Sequence, residues 1–286
     1  SAPSTPNDSN MPELPEVEVV RRGLQSCLPG RIVTGYRSSG KALRHKADDE
    51  QVRQQLTGAG IVGVRRRAKY LLIDFDNQAL LVLHLGMTGR LGLFPEASPE
   101  LLHDHLCWHL DNGQELRFND TRRFGSMKLF SRKNGIDPER DLFADTGPEP
   151  LTQRFSAAYL QARAAGRAIP VKQFLMDSRI VAGIGNIYAN ESLFAARIKP
   201  TRPVRKIGRR RWQVLIDQLR IILERAIDCG GSTISDFIGT TGEGGYFQVH
   251  FSVYGKAGQA CPRCQAPILA LRLGGRSTFF CGSCQR

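Results

Sequence analysis

The residues with the clearest chemical potential lie in the stretch Met11–Glu18, which places prolines and carboxylates close enough together to share one reaction. If Pro12 is the first residue of the mature chain, its nitrogen is a secondary amine and a good nucleophile toward an aldehyde-like sugar carbon. If residues 1–11 remain attached, the same nitrogen belongs to an amide, and its lone pair is delocalised and inert. The polar segment Ser1–Asn10 has no periodicity, and we expect it to be a disordered extension, a tag or a misassigned start.

Four cysteines near the C-terminus have the spacing of a metal site. Cys261 and Cys264 form one CxxC pair, Cys281 and Cys284 form a second, and sixteen residues separate the pairs. This spacing predicts four thiolates around one zinc ion, which fill its coordination shell, so we expect a structural zinc and no catalytic one. Alternating residues between the pairs predict a hairpin with Gly274-Gly275 at its tip and Arg276 beside it.

Two basic segments differ in what they indicate. The seven cations between Lys199 and Arg211 are typical of a solvated surface that raises affinity for a polyanion without specificity. Lys69 instead stands at the entrance of an apolar strand, where a lysine can be held at a fixed position. A surface lysine explains the same residue, and the sequence alone favours that explanation.

Other loops combine turn residues with a bulky apolar side chain. The segments His84–Gly89 and Asp120–Gly125 place Met87 and Phe124 in such loops, which can insert a side chain into a base stack, although core packing is an equal alternative. Gly183–Asn186 introduces a helix whose N-terminus could bind phosphate, but a glycine turn between helices explains it without a ligand.

The periodicity of apolar residues predicts the elements that position these groups. A helix from Pro15 buries Val17, Val20, Leu24 and Leu28 and ends at Pro29-Gly30, and β-rich sequence follows to about Phe143. The predicted strands are Ile61–Val64, Tyr70–Phe75, Ala79–Leu85, Leu116–Phe118 and Met127–Phe130. The predicted helices beyond a linker at Thr146–Pro150 are Phe155–Ala164, Lys172–Asp177, Asn186–Ala196 and a long one containing Trp212 and Ala226.

Composition narrows the class of protein. The 286 residues carry 40 Lys and Arg against 27 Asp and Glu, a formal charge of +13, which favours nucleic acid as the partner. No apolar run is long enough to span a membrane, and no secretion signal is evident. Seven cysteines without an export signal argue for metal binding over disulfides.

In this order, the motifs resemble the formamidopyrimidine-DNA glycosylase (Fpg) family from Met11 to the last residue. The matching segments are Met11–Val17, Arg66–Leu72, His84–Met87, His103–His105, Arg122–Gly125, Gly185–Ala189, Gly245–Phe247 and the paired cysteines. The resemblance implies an α+β protein: a two-layered β-sandwich with flanking helices, a helix-two-turn-helix domain and a β-hairpin zinc finger. The expected segments are an extension (1–11), a catalytic domain (12–145), a linker (146–154), a helical DNA-binding domain (155–240) and a zinc module (241–286).

The resemblance also implies catalytic roles. Such enzymes remove 8-oxoguanine and formamidopyrimidines and then cut the abasic strand, so Pro12 is expected to attack C1′ and form an iminium that permits β- and δ-elimination. Glu13 is then the general acid, and Glu16 helps orient the amine. Lys69 matches the lysine assigned to β-elimination, and Arg276 matches the arginine assigned to δ-elimination.

Residues that contact DNA follow from the same resemblance. His103, Arg122 and Arg167 match DNA-contacting positions, and Lys172, Asn186, His84 and Tyr246 match residues that hold phosphates around the flipped nucleotide. Met87, Arg122 and Phe124 match the trio that fills the vacated stack, with Arg122 facing the orphaned cytosine. The segment Gly239–Gly245 matches the loop that closes over the extruded base.

Alternatives remain open at this stage. Leu14 favours the Fpg branch over the endonuclease VIII branch, which prefers oxidised pyrimidines. A retained extension would give a damaged-DNA-binding protein without lyase chemistry, and a zinc-finger regulator is disfavoured because the hairpin offers no recognition helix. We expect a monomeric cytoplasmic bacterial protein that works at the nucleoid on double-stranded DNA containing an oxidised base. No organic cofactor and no membrane partner are expected.

Overall fold

The computed structural model describes residues 11–133, 137–230, 237–238 and 251–286. These residues form two compact units. The first contains 11–12, 16–133, 137–138 and 237–238, and the second contains 13–15, 139–230 and 251–286. The predictions for Ser1–Asn10, Gly239–Gly245 and Tyr246 lie outside the described residues, and the five-segment division stays a prediction.

The first unit is built on helix α1, Leu14–Cys27. Its predicted apolar face is confirmed, because Val17, Val20, Leu24 and Leu28 are at most 1% exposed. Gly30, with φ of 82°, turns the chain after the helix, a conformation that glycine adopts without steric cost.

Two five-stranded sheets follow α1 in this unit. One has the spatial order β1 (Val33–Ser38), β7 (Asp104–Leu110), β8 (Gln114–Asp120), β6 (Gly89–Pro95) and β10 (Phe237–Ile238). The other has the order β2 (His45–Lys46), β9 (Ser126–Ser131), β5 (Ala79–His84), β4 (Tyr70–Phe75) and β3 (Ile61–Arg67). Helix α2, Asp49–Leu56, is capped by the Asp48 carboxylate, which accepts from the Gln51 N–H.

One apolar core joins the two sheets and α1. Trp108 and Phe118 of the first sheet and Leu71 and Leu83 of the second belong to the same buried cluster as Val20 of α1. The predicted two-layered sandwich is therefore confirmed. Its strands are more numerous than predicted, because β1, β2, β6, β7 and β10 were not anticipated.

The second unit is mainly helical among the described residues. Its helices are α3 (Pro138–Leu142, which begins in the first unit), α4 (Ala157–Ala164), α5 (Val171–Met176), α6 (Asn186–Ala195) and α7 (Arg209–Asp228), with a 3₁₀ turn at Val204–Lys206. Trp212, Leu219 and Ala226 of α7 are fully buried, which confirms the predicted face of the long helix. None of the described helices is long and apolar enough to cross a membrane.

The predicted linker is packed into this second unit. Gly147 donates from its backbone N–H to the Ser178 carbonyl at 2.8 Å. A Cβ atom on Gly147 would lie 2.5 Å from the Ile180 carbonyl carbon, so only glycine allows this close approach. The Thr146–Pro150 segment is thus held against residues 178–182, although its composition is typical of a linker.

A two-stranded hairpin closes the chain, with β11 at Ile268–Leu273 and β12 at Arg276–Cys281. Gly274 and Gly275 connect the strands with φ values of 58° and 75°, as a tight turn of the I′ kind requires. Arg276 pairs with Leu273 directly beside that turn. The predicted hairpin and the position of Arg276 are confirmed.

Candidate functional site

The first unit fixes Lys69 in a two-residue turn between β3 and β4. The adjacent Ala68 has a φ of 53°, and its carbonyl accepts from the Arg66 guanidinium at 2.9 Å. The same guanidinium pairs with Glu18 of α1 at 3.1 Å, with both side chains largely buried. Although burial acts in the opposite direction, Arg21 and Arg66 hold the pKa of Glu18 below its ordinary value. The turn with Lys69 is therefore tied to the helix that carries Glu16, which is 3% exposed.

His84 lies opposite Tyr70 in the adjoining strand pair, and their ring centroids are 4.8 Å apart. Burial, followed by the positive charges of Lys69 and Arg44, lowers the pKa of His84 to about 4. The Gly86 N–H donates to Nδ1 of His84 at 3.0 Å, so the neutral ring carries its proton on Nε2. His84 therefore offers one N–H donor, which suits a phosphate oxygen.

The loops containing Met87 and Arg122 are held together by Asp120, which is 0% exposed. Its carboxylate accepts from the Thr88 hydroxyl at 2.5 Å and from the Gly125 N–H at 2.7 Å. Thr88 Oγ1 in turn accepts from the Arg122 N–H at 3.0 Å. A single buried carboxylate thus sets the relative position of both loops.

Glycines allow these two loops to touch. Gly86 has a φ of 67°, and a Cβ atom there would lie 2.5 Å from the Phe124 carbonyl carbon and the Gly125 nitrogen. A Cβ atom on Gly125 would lie 2.5 Å from the Phe118 ring. Larger residues at either position would separate the loops.

The predicted wedge residues surround one cavity of about 610 Å³ in the first unit. The cavity is lined by Met11, Ala42, Leu43, Arg44, His84, Gly86, Met87, Arg122, Arg123 and Phe124. The Arg122 guanidinium lies over the Phe124 ring at 4.8 Å, and Phe124 is 43% exposed. An exposed phenylalanine stacked on an arginine presents an apolar face and a charged edge to a ligand. Met87, Arg122 and Phe124 are therefore neighbours, as their predicted joint role requires.

His103 lies at the entrance of β7 with a φ of 77°, a left-handed conformation that is uncommon for histidine. Asn119 donates to the carbonyl of Leu102 at 2.8 Å, and Asp104 accepts from the N–H of Leu101 at 2.9 Å. The backbone around His103 is thus fixed on both sides. His103 does not line the wedge cavity.

Glu13 belongs to the second unit and is 3% exposed. Its two carboxylate oxygens accept from the backbone N–H groups of Gly185 at 2.6 Å and of Ile187 at 2.8 Å. These N–H groups open α6, so the carboxylate binds where the helix dipole favours negative charge. The helix N-terminus at Gly183–Asn186, which the sequence explained as a glycine turn without a ligand in preference to a phosphate site, is thus used by Glu13.

Lys172 is 1% exposed, and its ammonium donates to the Ser277 carbonyl at 2.8 Å and to the Thr278 hydroxyl at 2.7 Å. Both acceptors lie on β12, the strand that begins at Arg276. Asn190 of α6 accepts from the Phe279 N–H at 2.9 Å on the same strand. The structure therefore places Lys172 inside the second unit as an anchor of the strand whose first residue is the exposed Arg276.

Arg167 and Asn186 occupy separate places in the second unit. Arg167 is exposed in the loop after α4, and its carbonyl accepts from the Arg205 N–H at 3.2 Å. Asn186 is the first residue of α6 and is partly exposed. The Asn186 side-chain oxygen accepts from the Asn190 amide at 3.4 Å, so part of its hydrogen-bonding capacity is used within α6.

The four cysteines fit a zinc ion. Their sulfur atoms all lie within 4.8 Å of one another, with Cys261 and Cys284 at 3.9 Å and Cys264 and Cys281 at 3.5 Å. A tetrahedral zinc with bonds near 2.3 Å would separate its sulfurs by about 3.8 Å. Backbone N–H groups of Arg263 and Cys284 point at two of the sulfurs at 3.4 Å. These four cysteines therefore hold one structural zinc and leave no coordination position open for catalysis.

Sequence reasoning missed the residues that support these groups. Asp120 and Arg66 lie in segments singled out from the sequence, but their supporting roles were not predicted, and Asn190 and Glu191 are buried polar residues of α6 outside any segment that was singled out for them. Glu191 accepts from the N–H groups of Ser252, Val253 and Tyr254 at 2.8–2.9 Å. For Asn190 and Glu191, the one available indication was a polar side chain within an otherwise apolar helix.

Three family models match most of the chain. The N-terminal domain of formamidopyrimidine-DNA glycosylase matches residues 11–127, its H2TH domain matches 146–238, and the zinc finger found in FPG and IleRS matches 258–286. The formamidopyrimidine-DNA glycosylase of Acidithiobacillus ferrooxidans is 44% identical over 96% of this chain and 100% of its own length.

Solved structures give the same result. Complexes of a glycine-to-proline mutant of Lactococcus lactis FPG with Fapy-dG DNA, and of MutM with DNA containing carbocyclic 8-oxo-G, both superpose with a TM-score of 0.86. Their sequences are 33% and 34% identical to this chain. Each alignment covers 96% of this chain and 100% of the solved chain. A β-sandwich, an H2TH domain and a zinc finger in this arrangement along the chain define a DNA-repair glycosylase. The chain belongs to the formamidopyrimidine-DNA glycosylase family, so the Fpg branch predicted from Leu14 is confirmed.

Proposed function

We propose that this base-excision glycosylase removes oxidised purines, 8-oxoguanine and formamidopyrimidines, from double-stranded DNA, with the wedge cavity as its lesion-sensing surface. The observation that carries the proposal is the cluster of Met87, Arg122 and Phe124 around one cavity. An apolar pair and a guanidinium can replace a flipped base: the apolar groups restore stacking, and the guanidinium donates to the base left behind.

The nucleophile in this proposal is the amine of Pro12. It attacks C1′ and the C1′–N bond breaks, so the base leaves with a proton. The C1′–O4′ bond then breaks, O4′ takes up the proton of the attacking amine, and the opened sugar holds an iminium. Glu13, which follows Pro12 in the chain, transfers the proton. Its two N–H contacts stabilise the carboxylate, so Glu13 first takes up a proton from solvent and then donates that proton to the departing base. Glu16 orients the amine.

Elimination needs two further proton transfers. The iminium acidifies the C2′ protons, so the 3′-phosphate leaves first and the 5′-phosphate second. We assign the first step to Lys69, whose turn is fixed by Arg66. We assign the second to Arg276, which the hairpin turn presents at the start of β12. The product is a one-nucleotide gap.

The remaining predicted residues bind the DNA backbone. Neutral His84 donates through Nε2, and His103, Arg167, Asn186 and Tyr246 contribute contacts around the extruded nucleotide. Lys172 is 1% exposed, so we assign it to holding β12 in place and not to binding a phosphate. The relatives are bacterial proteins, so we place the enzyme in the cytoplasm at the nucleoid, acting as a monomer.

Excision assays with matched duplexes test this function. Protein that begins at Pro12 should release 8-oxoguanine opposite cytosine at least tenfold faster than thymine glycol. Phe124→Ala and Met87→Ala should slow excision from duplex DNA but spare cleavage of a preformed abasic site. Asp120→Ala should also slow excision from duplex DNA and spare the abasic site, because the two loops lose the carboxylate that holds them together. Faster release of thymine glycol would refute the purine preference.

The exposed residue Leu102 supplies a control, since it is 80% exposed and lies outside the wedge cavity. Leu102→Ala removes a comparable apolar group without touching the wedge. We expect its excision rates to match those of the parent. An equal loss in Leu102→Ala and Phe124→Ala would show that general surface apolarity, and not the wedge, is responsible.

A further inference from the structure

A second group of metal-ligating side chains lies in the first unit, apart from the zinc finger. Cys107 and His109 are on β7 and Glu115 is on β8, and their ligand atoms all lie within 4.8 Å of one another. Residues in a strand alternate between faces. Leu106, Trp108 and Leu110 point into the apolar core, so Cys107 and His109 share the opposite face of the sheet.

The imidazole of His109 is in an unusual position. Its Nδ1 atom is buried and has no hydrogen-bond partner among the described residues, although Glu115 Oε1 lies 3.1 Å away. The two groups are therefore close but not aligned for a hydrogen bond. A nitrogen and an oxygen that lie this close without a hydrogen bond between them are arranged as two ligands of one cation, because each can direct a lone pair at the ion.

The Glu115 carboxylate is held in place by neighbouring groups, as metal-binding carboxylates commonly are. Glu115 accepts from the Arg117 guanidinium at 2.6 Å through its second oxygen, Oε2, which leaves Oε1 for the histidine side. Arg117 is itself held by the carbonyls of Ser98 and Pro99 at 2.8 Å. Carboxylates that bind metals are commonly oriented by such outer hydrogen bonds. Glu96 is not part of this three-residue cluster, but its exposed side chain, with Oε1 3.5 Å from His109 Nδ1, can rotate to supply a fourth ligand atom at the solvent side.

We propose that Cys107, His109 and Glu115 bind one divalent transition-metal ion, with zinc as the preferred ion and Glu96 as the fourth ligand. Thiolate, imidazole and carboxylate in a four-coordinate shell are zinc ligands, and the mixed set disfavours magnesium or calcium, which require oxygen. Burial and the Glu115 carboxylate raise the pKa of Cys107 to about 12, so the metal-free cluster holds a thiol. Uptake of the ion forms the metal–sulfur bond and releases that proton to solvent.

Metal content of the full chain tests this site. Protein equilibrated at a buffered free zinc concentration should hold two zinc ions per chain by mass spectrometry of its metals. The double variant Cys107→Ser, His109→Gln should hold one, in the finger. Cys27→Ser removes an exposed lone cysteine as the matched control and should keep two. One ion per chain in the parent under the same conditions overturns the proposal.

A milder variant guards against unfolding. Glu96 is an exposed side chain, so Glu96→Gln should leave the fold intact while weakening the second zinc at least tenfold in a competition titration with a chromophoric chelator. The first, finger-bound ion should be unaffected. Equal affinity for the second ion in Glu96→Gln and the parent would exclude Glu96 as a ligand. Equal affinity in the double variant as well would exclude the site.

Discussion

His84 shows how the fold sets the charge and the hydrogen bonding of a single residue. It is a neutral imidazole in a strongly basic neighbourhood, with Nδ1 occupied by a backbone N–H and Nε2 left as a donor. A protonated ring would bind phosphate more strongly but would repel Lys69. The neutral ring therefore leaves one directional N–H donor beside Lys69, and we propose that this donor contacts a DNA phosphate.

The lowered pKa of His84 makes stability depend on pH. A pKa of about 4 in the folded protein against 6.5 in the unfolded chain means that protonation favours unfolding. The contribution of the neutral ring is fully present above pH 6.5 and is lost as the pH falls through 4. Its upper bound is about 3 kcal/mol.

Urea unfolding at several pH values measures this contribution. Between pH 7 and pH 4 the parent should lose more free energy of unfolding than His84→Gln does, by up to about 3 kcal/mol. His45→Gln, at an exposed histidine, should lose as much as the parent. Identical pH profiles for the parent and His84→Gln would contradict the assignment.

Residue types at the site were predictable, but their partners were not. The turn residues around Met87 and Phe124 indicated loops, and the structure brings both residues to one cavity. Glu13 accepts from an N–H group 172 positions away, and Lys172 donates to a hydroxyl 106 positions away. Such contacts depend on the tertiary fold, and no local spacing records them.

At the level of elements, Lys172 connects α5 to β12 and thereby fixes the strand that starts at Arg276. We expect Lys172→Met to lower the ratio of δ- to β-elimination product on an abasic duplex by roughly tenfold, a barrier change of about 1.4 kcal/mol. Base excision should fall less, because the role that we propose for Arg276 comes after base excision. Denaturing gels resolve the two products.

The matched control is Lys199→Met, which removes an exposed lysine of the same unit. It should leave the product ratio unchanged. If Lys172 is instead a phosphate ligand, both steps will decline together at a constant ratio, and the salt dependence of binding will lose about one phosphate contact.

The zinc hairpin is an element that its metal folds. Removing zinc or changing Cys264 to Ser should unfold β11 and β12, because the metal supplies on the order of 10 kcal/mol to such modules. DNA binding and incision should decline together, as measured by anisotropy and strand cleavage. Cys27→Ser is the control for loss of a thiol. Full incision after verified zinc loss would show that the ion has no structural role.

Some strands could be predicted from the sequence and others could not. β4 and β5 are continuous apolar runs, and their predicted bounds nearly match those of the structure. β6 contains Gly92 and ends at Pro95, and β1 contains Gly35, so both resemble loops by composition. β7 does carry the alternation of a half-buried strand, since Leu106, Trp108 and Leu110 face the core between polar or small residues, so this strand could have been predicted.

For the whole molecule, the charge of +13 predicts binding that depends strongly on salt. Each phosphate contact releases counterions, and about five contacts give a slope near −4.5 in log K against log salt. Affinity for a duplex with an abasic-site analogue should therefore fall several-hundred-fold between 50 and 200 mM salt, measured by anisotropy. Arg167→Ala should reduce the slope by about 1. A flat salt profile would contradict electrostatic binding.

The central claim is that Pro12 is the nucleophile, and borohydride trapping tests it most directly. Protein that begins at Pro12 should form a covalent adduct with an 8-oxoguanine:cytosine duplex, and peptide mass mapping should locate the adduct at Pro12. The same protein with residues 1–11 retained has an amide nitrogen there and should bind the duplex without being trapped. Equal trapping of both proteins, or an adduct mapped to a lysine, would contradict the account.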